Sequence, residues 1–151
     1  MNATAVALTF KYYSALTKIP ENLVAYLCSK VTNASGSMMR NALTNSIYPD
    51  ADASRDSALI AFNGRHPIAW AKYRCISPNA SLQIFVKEEY RKQGIATDLS
   101  RMLLQKENYP AEGSVLVFSN DMINVVKSAG YFNVVHAYLL EKCVHDPHMD
   151  I

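Results

Sequence analysis

The spacing of apolar residues changes along the chain, and each change marks an element. ATAVALTF, near the N-terminus, is a short β-type run. Pro20 then opens ENLVAYLCSKV, where Leu23, Leu27 and Val31 recur every four residues as on one helix face. Met39, Leu43 and Ile47 repeat that spacing in GSMMRNALTNSI, a second helix that Pro49, Asp50 and Asp52 end in a polar loop. SALIAF and PIAWAKYRCI flank NGRH, so Asn63-Gly64 reads as the tight turn of a β-hairpin, by its ready access to positive φ. Pro78-Asn79 breaks the chain, and Leu82, Ile84 and Val86 then alternate with Ser81, Gln83 and Phe85 as a third antiparallel strand. After Gly94 the period becomes helical: Ile95, Leu99, Met102 and Leu103 share a face, and the helix must stop near Tyr109-Pro110. SVLVFS is another strand, NDMINVVKSAGY a short helix closed by Gly130, and FNVVHAYLLEKCV one or two final strands. The order β-α-α-β-β-β-α-β-α-β, with room for one more strand, predicts an α/β (α+β) fold: one mixed, mostly antiparallel sheet with helices on both faces.

Composition narrows the class. A chain of 151 residues, half of them apolar and 19% charged, fits one soluble globular domain over 1–151, with a flexible tail expected at 144–151. No apolar run approaches membrane-spanning length and the start lacks a basic-then-apolar leader, so the expectation is a cytoplasmic protein with no membrane partner. Cys28, Cys75 and Cys143 fit reduced thiols there, and the Asn-x-Ser/Thr triplets at Asn2, Asn33 and Asn79 read as chance. A formal charge of +2 gives no ground for a nucleic-acid partner. Trp70, Lys72 and Arg74 fall on one face of their strand, a small basic patch expected in solvent. Met38 and Met39 read as core filler and His136 as a core or edge residue. Cys75 has no His/Asp partner in view and reads as a small buried hydrophobe. Cys143, His145 and His148 are not expected to bind metal, because Pro147 breaks any helix between them. VVHAYLL, as an edge strand, invites a homodimer.

The chemistry concentrates in FVKEEYRKQGIATDL, Phe85 to Leu99. A strand ending at Val86, a short polar loop and a helix starting near Gly94 place the helix's first free N–H groups at the carboxyl end of the sheet, where anions are favoured. Arg91 and Lys92 add positive charge. Glycine at 94, with small Ala96 beyond it, lets the backbone approach phosphate oxygens that a β-carbon would hold off. Neither a Walker A loop nor G-x-G-x-x-G occurs in the chain, which disfavours ATP and NAD. Val86 followed by Arg91-x-x-Gly94-x-Ala96 and an amphipathic helix resembles the acetyl-coenzyme A loop of the GNAT N-acetyltransferase superfamily. The element order resembles that fold over nearly the whole chain, and NDMINVVKSAGYF is similar to its fourth helix.

That resemblance implies an enzyme moving an acetyl or short acyl group from acetyl-CoA to an amine of a small molecule, peptide or protein, by direct attack in a ternary complex. It implies that backbone groups of Ile84, Phe85 and Val86 hold the pantetheine arm. Arg91, Lys92, Gln93, Gly94, Ile95, Ala96 and Thr97 would cradle the pyrophosphate, and Asn120 would touch the arm, although it stands one residue nearer the closing glycine than usual. The family's catalytic positions depart from pattern. Its tyrosine acid falls on Val126, and its glutamate base on Ala80 or Val115. Ser119, Tyr131, Tyr138 and His66 remain as proton carriers to be weighed, and an acceptor nitrogen that loses its proton readily, such as an α-amine, is favoured. The alternative from another class is a catalytically inactive GNAT-fold module that binds acyl-CoA or a protein.

Overall fold

A computed structural model describes residues 7–31, 56–76 and 78–136. The expected second helix, with Met38, Met39 and Met39's apolar partners Leu43 and Ile47, lies outside the described residues, as do Tyr138, Cys143, His145, His148 and the end of VVHAYLL. The elements are β1 (Leu8–Tyr13), α1 (Glu21–Tyr26) widening into a π turn (Leu27–Val31), β2 (Ser57–Asn63), β3 (His66–Ile76) and β4 (Asn79–Val86). They continue with α2 (Ile95–Lys106), β5 (Val115–Val117), α3 (Asn120–Ser128) and β6 (Val134–His136). One six-stranded sheet holds them in the order β1-β2-β3-β4-β5-β6. The first four strands pair antiparallel, and β4-β5 and β5-β6 pair parallel. This is the mixed, mostly antiparallel sheet that the element order predicts.

Each face of the sheet has its own core. On one, Leu59, Ala71, Tyr73 and Leu82 pack beneath Leu99, Leu103 and Leu104 of α2 and Met122 and Val126 of α3. On the other, Ile60 and Trp70 pack against Leu27 and Val31, with Phe85 stacked 4.6 Å from the Trp70 ring. Met102, expected on the buried stripe of α2, is 37% exposed, and Leu104 takes its place. The stripe runs from Ile95 through Leu99 and Leu103 to Leu104, which leaves Met102 at its margin.

Both crossover helices end alike. At the end of α3, Gly130 (φ 103°) sends its N–H to Lys127 O and Tyr131 its N–H to Val126 O, a Schellman closure with the Tyr131 ring buried beside the last turn. At the end of α2, Asn108 (φ 58°) donates to Gln105 O and Tyr109 to Leu104 O in the same pattern. Tyr109 then donates its hydroxyl to Ser114 O at 2.5 Å. A β-carbon on Gly113 would lie 2.7 Å from the Tyr109 ring, so close approach accounts for that glycine.

Four expectations are corrected. Residues 3–6 of ATAVALTF lie outside the described residues, and the described strand continues past Phe10 to Tyr13, with Leu8, Phe10 and Tyr12 carrying the alternation. The hairpin turn is Gly64-Arg65: Gly64 has φ 62° while Asn63 is the last residue of β2, paired with His66. Trp70, Lys72 and Arg74 do share a face, but they are 0%, 4% and 8% exposed. Asp56, 0% exposed, pairs with Arg74 and lies 3.4 Å from Lys72 Nζ. Burial pushes the Lys72 ammonium below its ordinary pKa, against the pull of Asp56. Cys75, expected in the core, is exposed.

Candidate functional site

The site begins with a parting of two strands. Lys87 N–H donates to Ile68 O at 2.8 Å, in line with the Ala69↔Val86 register. In an antiparallel ladder alternate residues bond the same neighbour, so Gln83, Phe85 and Lys87 turn their backbone groups to β3. Ala80, Leu82, Ile84 and Val86 therefore turn theirs toward β5, and Ala80 N–H reaches Ser114 O at 3.1 Å. β5 pairs with β4 at Ala80 and Ser81 and no farther. Past that point the backbone groups of Ile84 and Val86 face a gap.

A cleft of about 600 Å³ occupies the gap. Ile84, Phe85 and Val86 line it from β4, and Ser119, Asp121, Met122 and Val125 from the start of α3. Arg91, Lys92, Gly94, Ile95, Ala96 and Thr97 line it from the loop and the start of α2. Two helix N-termini thus open onto one space, and neither N-cap residue, Gly94 or Ser119, places a side-chain bond on its helix. The first amides of α2 carry the positive end of the peptide dipoles, worth ~0.3–1 kcal/mol to an anion and up to ~2 when partly buried. Gly94 has φ 81°, and a β-carbon there would meet nothing within 4 Å. Its glycine is favoured by backbone conformation, not by contact with a neighbouring protein atom. Lys92, at φ 63°, also sits in the left-handed region, where an L side chain costs ~1–2 kcal/mol. Two left-handed residues, Lys92 and Gly94, thus stand in the loop immediately before α2.

The loop between strand and helix is braced from within. Arg91 Nε donates to Val86 O at 2.9 Å, which ties up that carbonyl and leaves the terminal guanidinium nitrogens directed outward from the bond. Gln93 Nε2 donates to Glu89 O at 3.3 Å.

The structure brings together ten of the residues expected to hold a cofactor or carry protons: Ile84, Phe85, Val86, Arg91, Lys92, Gly94, Ile95, Ala96, Thr97 and Ser119. Gln93 and Asn120 do not line the cleft: the Gln93 amide turns back on its own loop, and Asn120 is the first residue of α3 while Asp121 faces inward. Phe85 contributes its position, but its N–H and C=O belong to β3. Tyr131 closes α3 inside the core, where burial raises its pKa, and it does not reach the cleft. Val126, Ala80 and Val115 are fully buried and apolar. His66 stands at the hairpin, outside the cleft lining. Sequence reasoning missed Asp121, Met122 and Val125. Their i, i+1, i+4 spacing marks one helix face, which becomes visible once Ser119 is known to be the N-cap.

Among the described residues, no group of three His, Cys, Asp or Glu could hold a metal, and no helix is long and apolar enough to cross a membrane. No family model and no curated protein sequence matches the chain. Solved structures do. A GNAT-family acetyltransferase from Streptococcus pneumoniae superposes with TM-score 0.52 at 18% identity, covering 83% of this chain and 87% of its own. An aminoglycoside acetyltransferase from an uncultured soil metagenomic sample, solved with sisomicin, gives 0.51 at 13% identity, covering 81% and 86%. With the parted β4 and β5 and the glycine-capped helix beside them, these likenesses establish that the chain has the fold of the GNAT N-acetyltransferases.

Proposed function

We propose that the protein is an N-acyltransferase using acetyl-CoA, or another short acyl-CoA, as donor and an amine as acceptor. The observation that carries this reading is the end of β4, unpaired on its β5 side among the described residues, joined through the loop 87–93 to the glycine-capped N-terminus of α2. An extended arm with amide groups can pair with the free backbone groups of that edge, and the phosphates at its end meet the amides of residues 94–97 beside Arg91 and Lys92.

The register refines the roles. Both backbone groups of Ile84 and the N–H of Val86 are directed into the gap, whereas Val86 O is held by Arg91. The pantetheine arm is therefore read by Ile84 and by the Val86 amide. The same two amides are the donors able to meet the oxygen of a thioester carbonyl as it gains charge, a contact typically worth ~2.7–4 kcal/mol. The acceptor nitrogen forms its bond to the acyl carbon, the carbon–sulfur bond breaks, and the nitrogen's surplus proton passes to water. Ser119, whose hydroxyl is not spent on capping α3, gives the departing thiolate a hydrogen bond while keeping its own proton, and the thiolate is protonated from water, since Val126 has no proton to offer. A nitrogen with an ordinary pKa near ~7.7–8.0 suits such a site better than a lysine at ~10.4.

Calorimetric titration with acetyl-CoA, followed by thiol release against pooled amines, tests the reading. Ser119→Ala should bind acetyl-CoA normally and release thiol about 10- to 150-fold more slowly, the range one hydrogen bond to a charged group spans. A second reading, a catalytically inactive acyl-CoA-binding module, has the apolar burial of Val126, Ala80 and Val115 in its favour. Tight acetyl-CoA binding with no thiol release from any amine would select it, and absence of binding would end both.

A further inference from the structure

The phosphate-facing loop has an anchor far from the cleft. Tyr90 closes the 3-10 turn Glu88–Tyr90, packs partly buried against the core, and its hydroxyl accepts a hydrogen bond from Asn63 Nδ2 at 2.9 Å. Asn63 is the last residue of β2 and directly precedes Gly64-Arg65. Gly64, at φ 62°, takes the positive-φ position of that turn, so Asn63 keeps strand geometry and its amide is free to reach across to the loop.

The remaining side-chain bonds found on the loop are local. Arg91 reaches back five residues to Val86, and Gln93 four residues to Glu89. The Asn63–Tyr90 bond spans 27 residues and is the side-chain link that fastens residues 88–94 to another part of the sheet, among the described residues. The loop needs such a fastening, because Lys92 and Gly94 both hold left-handed backbone, and Lys92 does so against its own side chain.

We propose that Asn63 is a positioning residue for the phosphate loop: through Tyr90 it holds residues 91–94 in the anion-ready shape before any ligand arrives. This rests on the reading of the cleft as a coenzyme A site for its binding consequence, but not for its structural one. A loop set in advance spares the ordering cost that binding would otherwise carry, so the anchor is felt as affinity and not as turnover.

Three variants test it: Asn63→Ala, Tyr90→Phe, which keeps the ring in its packing, and the double variant. Each single variant should weaken coenzyme A binding about 3- to 10-fold, the range one hydrogen bond spans, and the double no more than either alone, because one bond joins the two sites. The rate at saturating acetyl-CoA should stay within about twofold of the parent. Amide hydrogen exchange without ligand provides the second measurement: residues 88–97 should exchange faster in Tyr90→Phe while the interior of α2 is unchanged. Unaltered exchange in that segment overturns the inference whether or not the protein binds coenzyme A. Fully multiplicative losses in the double variant overturn it too. A parent protein that ignores coenzyme A while Tyr90→Phe still loosens 88–97 rejects the functional reading and leaves the anchor standing.

Discussion

Replacing Gly94 by tryptophan separates the two demands made on this position. The first is conformational: at φ 81° any L residue incurs ~1–2 kcal/mol, so the variant should lose about that much stability. The second concerns the ligand. No protein atom lies within 4 Å of the position a β-carbon would take, and Gly94 itself lines the cleft, so the indole is expected to occupy space at its rim. There it blocks approach to the amides of Ile95 and Ala96. Losing one charge-assisted hydrogen bond is worth ~1.5–3 kcal/mol, which is roughly 10- to 150-fold in affinity. Gly130→Ala is the matched control, since Gly130 also has positive φ (103°) and open space around it but sits at the far end of α3. It should show a comparable loss in melting temperature and unchanged coenzyme A binding. Titration calorimetry beside thermal unfolding reads both quantities. If Gly94→Trp and Gly130→Ala bind coenzyme A alike, the assignment of the α2 N-terminus to phosphate is wrong.

Other consequences are testable apart from ligand. Asp56→Ala leaves two nearly buried cations without this carboxylate and should cost ~3–5 kcal/mol in a urea unfolding series; a loss under 1 kcal/mol would mean that the cluster is hydrated. Gly113→Ala forces a β-carbon into the Tyr109 ring and should cost ~1–3 kcal/mol, with Tyr109→Ala relieving the clash in the double variant. Burial raises the pKa of Tyr131, so its contribution to stability is complete below pH ~10 and is lost as pH climbs through the higher folded value. Tyr131→Phe should flatten the alkaline limb of a stability-against-pH curve, and a curve that keeps the parent's slope above pH ~10 contradicts that burial effect.

What was legible in the sequence was local. Gly94 announces itself because a change of period from two to 3.6 coincides with a residue that permits positive φ, and both signals sit within one loop. Gly130 was legible as a helix stop for the same reason, and the Schellman bonds that follow it confirm the reading. Lys72 and Arg74 were misjudged because alternation says which residues share a face and not whether that face is covered. Here both faces of β3 are covered, and the residue that makes the charges tolerable, Asp56, lies fourteen positions before the nearer strand's Trp70 and pairs only after folding. Asn120 does begin its helix, as expected, but it does not line the cleft, because the facing side of a helix turns 100° per position and Ser119 and Asp121 take that side.

A site built largely from backbone explains how the fold can be evident when the sequence matches no family model. The edge of β4 beyond Ser81 presents peptide groups, and the phosphate contacts proposed above are amides at the start of α2, so most of those positions place few demands on side-chain identity. Conformation constrains Gly94, and the bond to Val86 O gives Arg91 a reason that a lysine could not satisfy, because lysine lacks the Nε–H beside a planar fork. Elsewhere substitution can run far as long as the strand stays extended and the helix keeps its start. Where the family pattern would place its acid and base, valine at 126, alanine at 80 and valine at 115 are buried and apolar, so the function proposed above leaves proton traffic to solvent beside the Ser119 hydrogen bond, with Asp121 the carboxylate that lines the cleft. On the proposal that solvent takes the acceptor's proton and Asp121 does not, the pH at which thiol release reaches half its maximum should follow the pKa of the amine supplied and not a property of the protein. Measuring that midpoint for two amines whose pKa values differ by about two units decides the matter, because a midpoint common to both would reveal a protein base.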